Sequence, residues 1–96
     1  MAFITYILYS ASIDQYYTGI TTQPIEGRLA RHNQGYYNDN WTAQGIPWEE
    51  FLVIECDHLA QARSIESHIK RMKSRKYIEN LKSYPEMVAR LKSKYE

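Results

Sequence analysis

Residues 3–9, FITYILY, form an unbroken run of β-branched, aromatic and aliphatic side chains, and residues 15–20, QYYTGI, form a second. The polar stretch 10–14 between them suits a turn, so the two runs predict a β-hairpin. Pro24 follows, with a fixed φ suited to the first turn of a helix. Ile25, Leu29 and His32 then recur at helical spacing up to Gly35, which predicts a helix over 24–34. Residues 36–48, YYNDNWTAQGIPW, show no period and are rich in Asn, Asp, Gly and Pro, so they predict a loop carrying aromatics.

From Glu49 to Cys56 the chain is strand-like again, and Asp57 is placed to cap a helix whose apolar stripe is Leu59, Ala62, Ile65, Ile69 and Met72. Ser74 starts a further helix through Ile78 and Leu81. Ser83, Tyr84, Pro85 and Glu86 read as a capping box ahead of Met87, Leu91 and Tyr95. The expected fold is α+β, with a small three-stranded, mainly antiparallel sheet packed by helices in the order β-β-α-β-α-α-α. A chain of 96 residues fits one domain, 1–96, with a core over about 4–82 and a last helix over about 84–95.

Composition excludes several classes. The single Cys56 rules out an internal disulfide, and no Cys/His cluster has zinc-finger spacing. MAFITYILYS lacks the basic flank and cleavage site of a signal peptide, and no run approaches the roughly 20 apolar residues of a membrane span. A soluble cytoplasmic protein that does not touch a membrane is the expectation. The net charge of +1 conceals an asymmetry. Residues 1–60 set Arg28 and Arg31 against seven acidic residues, while residues 61–96 set ten basic residues against four acidic ones. Such a basic half would attract a phosphate backbone, and would equally serve as a solvated helical surface.

Five residues stand out chemically: Tyr6 and Tyr17 on the hairpin, Arg28 and His32 on the first helix, and Glu66 on the second. Each has an ordinary reading. Tyrosines pack well in strands, and that role is expected for Tyr9 and Tyr16. Arg28 and His32, four apart, share one helix face at the edge of the core, where an arginine stem can cover apolar surface. Glu66 borders the apolar stripe, so its charge needs either a cation or the ammonium of Lys70 four residues on.

In order along the chain, TYILYS, YYTGIT, GRLARHNQG and the helical pair Glu66 and Lys70 resemble the GIY-YIG nuclease superfamily over roughly residues 4–82. The likeness is to its small free-standing members, and the chain is also similar to the nuclease domain of the bacterial excinuclease subunit that cuts damaged DNA. Ile4-Thr5-Tyr6 stands at the first motif and Tyr17-Thr18-Gly19 at the second. The resemblance implies a metal-dependent endonuclease acting on nucleic acid, with DNA favoured and a place in repair or recombination. It implies Tyr17 as general base with Tyr6 beside it, Arg28 on the phosphate, His32 assisting proton transfer, and Glu66 as the one protein ligand of Mg2+ or Mn2+.

Gly19 would permit close backbone approach to the phosphate, and Lys70, Arg71, Lys73, Arg75 and Lys76 would hold the nucleic-acid backbone. The leading glycine of the first motif is replaced by Ile4, and Ile20 stands where some members carry lysine. With no appended DNA-binding domain expected, target choice would fall to the domain itself, a homo-oligomer or a protein partner. Two other readings compete: a nucleic-acid-binding module that cuts weakly or not at all, and a protein-interaction domain using Tyr36, Tyr37, Trp41 and Trp48.

Overall fold

A computed structural model describes residues 2–35 and 40–96. The two apolar runs form strands β1 (Ile4–Ser10) and β2 (Gln15–Thr21), paired antiparallel with Tyr6 opposite Gly19 and Leu8 opposite Tyr17. Asp14 takes the left-handed conformation in the turn (φ 51°) and its carboxylate accepts from the Tyr9 hydroxyl at 2.6 Å. Strand β3 (Trp48–Glu55) pairs antiparallel with the other side of β1, giving the order β2-β1-β3. β1 is therefore central, which is why its side chains are buried on both faces; β2 is left as an edge.

The two sheet faces build separate cores. Ile7, Ile54, Ile65, Ile69, Leu81 and Leu91 gather on the face covered by α3 (Leu59–Met72), α4 (Arg75–Ser83) and α5 (Pro85–Lys94). Ile4, Tyr6, Leu8, Ile25 and Trp48 gather on the face covered by α1 (Ile25–Asn33). Full burial of each aliphatic chain contributes about 1.5–3 kcal/mol, so these clusters drive assembly of the two faces. Gln61, 1% exposed, fastens α5: its side chain donates to the Lys92 carbonyl at 2.9 Å and accepts from the Asp57 amide at 2.7 Å. The Thr5 hydroxyl donates to the Ala62 carbonyl at 2.8 Å and ties β1 to α3.

The α+β architecture and the antiparallel three-stranded sheet agree with the sequence pattern, but several details differ. A short helix α2 (Asn40–Gln44) lies in the stretch read as loop. Pro24 is the residue before α1 rather than within it, and Gly35 (φ 71°) ends the helix as expected. His58, not Asp57, caps α3: its Nδ1 accepts from the Gln61 amide at 3.1 Å. Ser74 caps α4 as expected, accepting from the Tyr77 amide at 3.1 Å, whereas α5 has no side-chain cap and begins on Pro85 alone. Met72 leaves the apolar stripe at 46% exposure, because Lys73 turns left-handed (φ 47°) and breaks the helix there.

The largest departure is Trp48. The β1–β3 register slips between Ile7 and Leu8, which face Leu52 and Glu50, so Phe51 is an extra residue on β3. Phe51 and Leu52 both pack toward the α3 face, and the alternation is reversed before them. Trp48 is thereby turned onto the α1 face, 2% exposed, with its indole N–H donating to the Thr42 carbonyl at 2.8 Å. No described helix is long and apolar enough to cross a membrane.

Candidate active site

The register of the hairpin builds the first part of the site. Leu8 and Tyr6 face Tyr17 and Gly19, so both tyrosines project from the α1 face of the sheet, their rings 6.3 Å apart. Tyr6 is 2% exposed, and the space its ring occupies exists because residue 19 has no side chain: a Cβ there would lie 2.6 Å from the Tyr6 Oη. Gly19 is buried beneath Tyr6, so packing alone requires a glycine there.

α1 delivers the next two residues. His32 was expected at the edge of the core but is 2% exposed, because α1 lies flat on the cluster around Trp48. Its Nε2 and the Tyr6 Oη are hydrogen-bonded at 3.1 Å, the direction depending on the tautomer. The Tyr17 ring packs edge-on to His32 at 4.8 Å and to Trp48 at 6.2 Å. Burial, and secondarily the charge of Arg28, holds the His32 pKa below its ordinary value. A neutral imidazole at neutral pH is therefore available to receive a proton. Arg28, one turn earlier and half-buried, donates from Nε to the Thr21 hydroxyl at 3.1 Å. That anchor fixes the stem of Arg28 at the end of β2.

Glu66 comes from the opposite side of the sheet. It is half-buried on α3 and paired with Lys70 at 3.3 Å, with side chains 21% and 56% exposed. Along the free edge of β2 runs an open groove of about 560 Å³ lined by Tyr16, Tyr17, Thr18, Ile69, Lys70, Lys73, Ser74 and Arg75 among others; of the five residues only Tyr17 lines it. Tyr17 thus belongs both to the buried ring cluster and to the groove, and Lys70 carries the groove to Glu66.

Among the described residues no group of three or more His, Cys, Asp or Glu is placed to hold a metal ion. Glu66 is a hard oxygen donor with its side chain 21% exposed and its charge shared with the Lys70 ammonium. That suits a magnesium-type cation retaining its waters and taking a substrate oxygen, and does not suit a tightly held resident metal.

The basic residues separate on inspection. Lys70 and Lys73 line the groove. Arg75 also lines it, but its guanidinium is engaged with Asp14 at 2.8 Å and Glu79 at 3.7 Å, and it lies over the Tyr16 ring at 5.4 Å. Arg71 belongs to a different surface, beside Arg63, and Lys76 is exposed outside both. Tyr9 and Tyr16 have packing and hydrogen-bonding roles, the latter donating to Glu79 at 3.3 Å. Of the aromatic loop, Trp48 is buried and offers nothing to a partner surface; Tyr36, Tyr37 and the Trp41 side chain lie outside the described residues.

Asn33 goes unnoticed in the sequence, and Trp48 stands out there only as a loop aromatic. The Asn33 amide accepts from the Trp48 backbone N–H and donates to its carbonyl at 3.0 Å, pinning the start of β3 against α1 and behind Tyr17. The signal was present in part, as an asparagine at the last position of α1, but its partner is identified only by the bulge in β3.

No curated protein and no solved structure matches the chain. Residues 2–79 match the model of the GIY-YIG catalytic domain family, a span that holds every one of the five residues above and stops within α4. With that match over most of its length, and with the hairpin, α1 and α3 in the expected places, the chain belongs to the GIY-YIG family of nucleases.

Proposed function

We propose that the protein is a metal-dependent endonuclease that hydrolyses phosphodiester bonds in DNA at the edge of β2. The observation that carries this reading is the meeting of Tyr17 with neutral His32 on one side and with the lysine-lined groove on the other. Glu66 would hold Mg2+ or Mn2+, which would supply Lewis-acid charge at the phosphate oxygen.

The remaining work falls to the chain's own groups. Tyr17, half-buried and lining the groove, takes a proton from the attacking water. His32, neutral through burial and held by Tyr6, is the second proton acceptor. Arg28 stabilises the charge that develops on the phosphate as the new P–O bond forms and the ester P–O bond breaks, with the leaving oxygen taking up a proton from solvent water. Lys70 and Lys73 hold the neighbouring backbone by charge and leave base identity unread.

The test is cleavage of labelled duplex, branched and single-stranded DNA, and of RNA, with and without a chelator. Glu66→Gln should abolish cutting without unfolding the protein, since its ion pair is partly exposed and contributes at most about 1 kcal/mol. Tyr17→Phe should lower kcat by about 10²–10⁴-fold. Binding with no cutting on any substrate would leave a non-catalytic binding module as the better description.

A further inference from the structure

Helix α3 carries a second polar surface on its outward flank. Arg63, Ser67 and Arg71 follow one another at four-residue steps, and with Ser64 and Tyr95 they line a shallow cavity of about 360 Å³. Arg63, Ser67 and Arg71 are exposed, and no carboxylate belongs to the lining. Among the described residues neither arginine pairs with an acid. Glu66, the nearest acid along the helix, is engaged with Lys70. The contrast with Arg75, saturated by Asp14 and Glu79, is direct.

Arg71 is also positioned: its Nη2 donates to the Tyr95 hydroxyl at 3.4 Å, and that hydroxyl is bonded to His68 Nδ1 at 2.9 Å. The field there is positive, since Lys94 and Arg71 add to burial in holding the His68 pKa down. Two unpaired guanidiniums with two hydroxyls between them are a donor set for phosphate oxygens. At about 1.5 Å rise per residue the ridge runs roughly 12 Å along the helix, long enough for more than one phosphate.

We propose that this flank is a second phosphate-binding track, and that α3 seats between the two backbones of a double-stranded nucleic acid. The groove with Lys70 and Lys73 takes one backbone and the Arg63–Ser67–Arg71 ridge takes the other. The dimensions agree: a helix with its side chains is about 10–12 Å across and the major groove is about 12 Å wide. A single strand held in the cleft would have to wrap round the helix to reach the second track. This inference rests on the nuclease reading, whose substrate it specifies.

The experiment uses the full chain. A labelled synthetic duplex and its isolated strand are titrated, at several salt concentrations, with Glu66→Gln protein and with the same protein carrying Arg63→Gln and Arg71→Gln; cleavage of the duplex is measured in the otherwise wild-type background. Loss of two phosphate contacts should make the slope of log K against log salt for the duplex shallower by about 1.8. Duplex affinity should fall on the order of tenfold, with single-strand affinity unchanged. The double variant should lose kcat/KM on duplex and keep kcat at saturation.

Ser67→Glu, which places a charge in the middle of the ridge, should weaken duplex binding in the same way; thermal unfolding of both variants confirms that they fold. An unchanged slope, or an equal loss on both probes, overturns the second track while leaving the nuclease reading intact if the wild-type protein still cuts. A wild-type protein that neither binds nor cuts overturns both.

Discussion

Two glycines give opposite expectations for the same substitution. At Gly19 an added methyl would sit 2.6 Å from the Tyr6 Oη, 2.8 Å from its Cζ and 3.1 Å from the Tyr17 Cε1. Carbon contacts settle at about 3.5–4.0 Å, so the end of Tyr6 must move on the order of 1 Å. It has little freedom to do so, being 2% exposed and hydrogen-bonded to His32. Overpacking costs about 1–3 kcal/mol and the lost hydrogen bond about 0.5–1.5 kcal/mol, so Gly19→Ala should destabilise the protein by about 1.5–4.5 kcal/mol.

Cleavage should suffer separately, since a displacement of about 1 Å in a catalytic group can cost roughly 10²-fold. At Gly27, in the middle of α1, nothing lies within 4 Å of the added methyl. There Ala should stabilise the helix by about 0.5–1 kcal/mol. Urea unfolding of both variants, with cleavage assayed well below their midpoints, tests the pair. A Gly19→Ala protein within about 0.5 kcal/mol of wild type and fully active would refute the packing argument, as would a comparable loss at Gly27.

Burial depresses the folded-state pKa of both His32 and His68. The unfolded chain therefore binds protons first, and stability should be full above about pH 6.5 and fall as pH drops below it; His32→Gln should make that fall shallower, by up to about 1.4 kcal/mol per pH unit in urea midpoints. Ser74→Ala removes the cap of α4 and should cost about 1 kcal/mol, read as an earlier urea midpoint at unchanged slope. Asn33→Ala strips two hydrogen bonds from the backbone of buried Trp48 and should cost about 1–3 kcal/mol, with Tyr17 fluorescence or its ring NMR signals shifting as Trp48 loosens.

Much of the fold follows from local pattern. Continuous apolar runs marked β1 and β2 because β1 ends up buried on both faces, and the stripe through Ala62, Ile65 and Ile69 marked α3 because one side of that helix meets the sheet. Ser74 was readable as a cap since capping needs only the residues that follow it. The family was likewise recognisable, by the order of its motifs along the chain.

Other features depended on partners distant in sequence. The local pattern places Trp48 in a loop, and a one-residue bulge against Ile7 and Leu8 makes it core, because inserting one residue reverses which face every earlier side chain meets. His32 is fully buried rather than at the core edge, bonded to Tyr6 and packed against the Tyr17 ring. The basic residues of α3 and α4 looked alike in sequence; only the fold brought Asp14 to Arg75, Lys70 to the groove and Tyr95 to Arg71. Periodicity reports which side of an element is buried, whereas the occupant of the other side is set by contacts that the chain makes only when its ends meet.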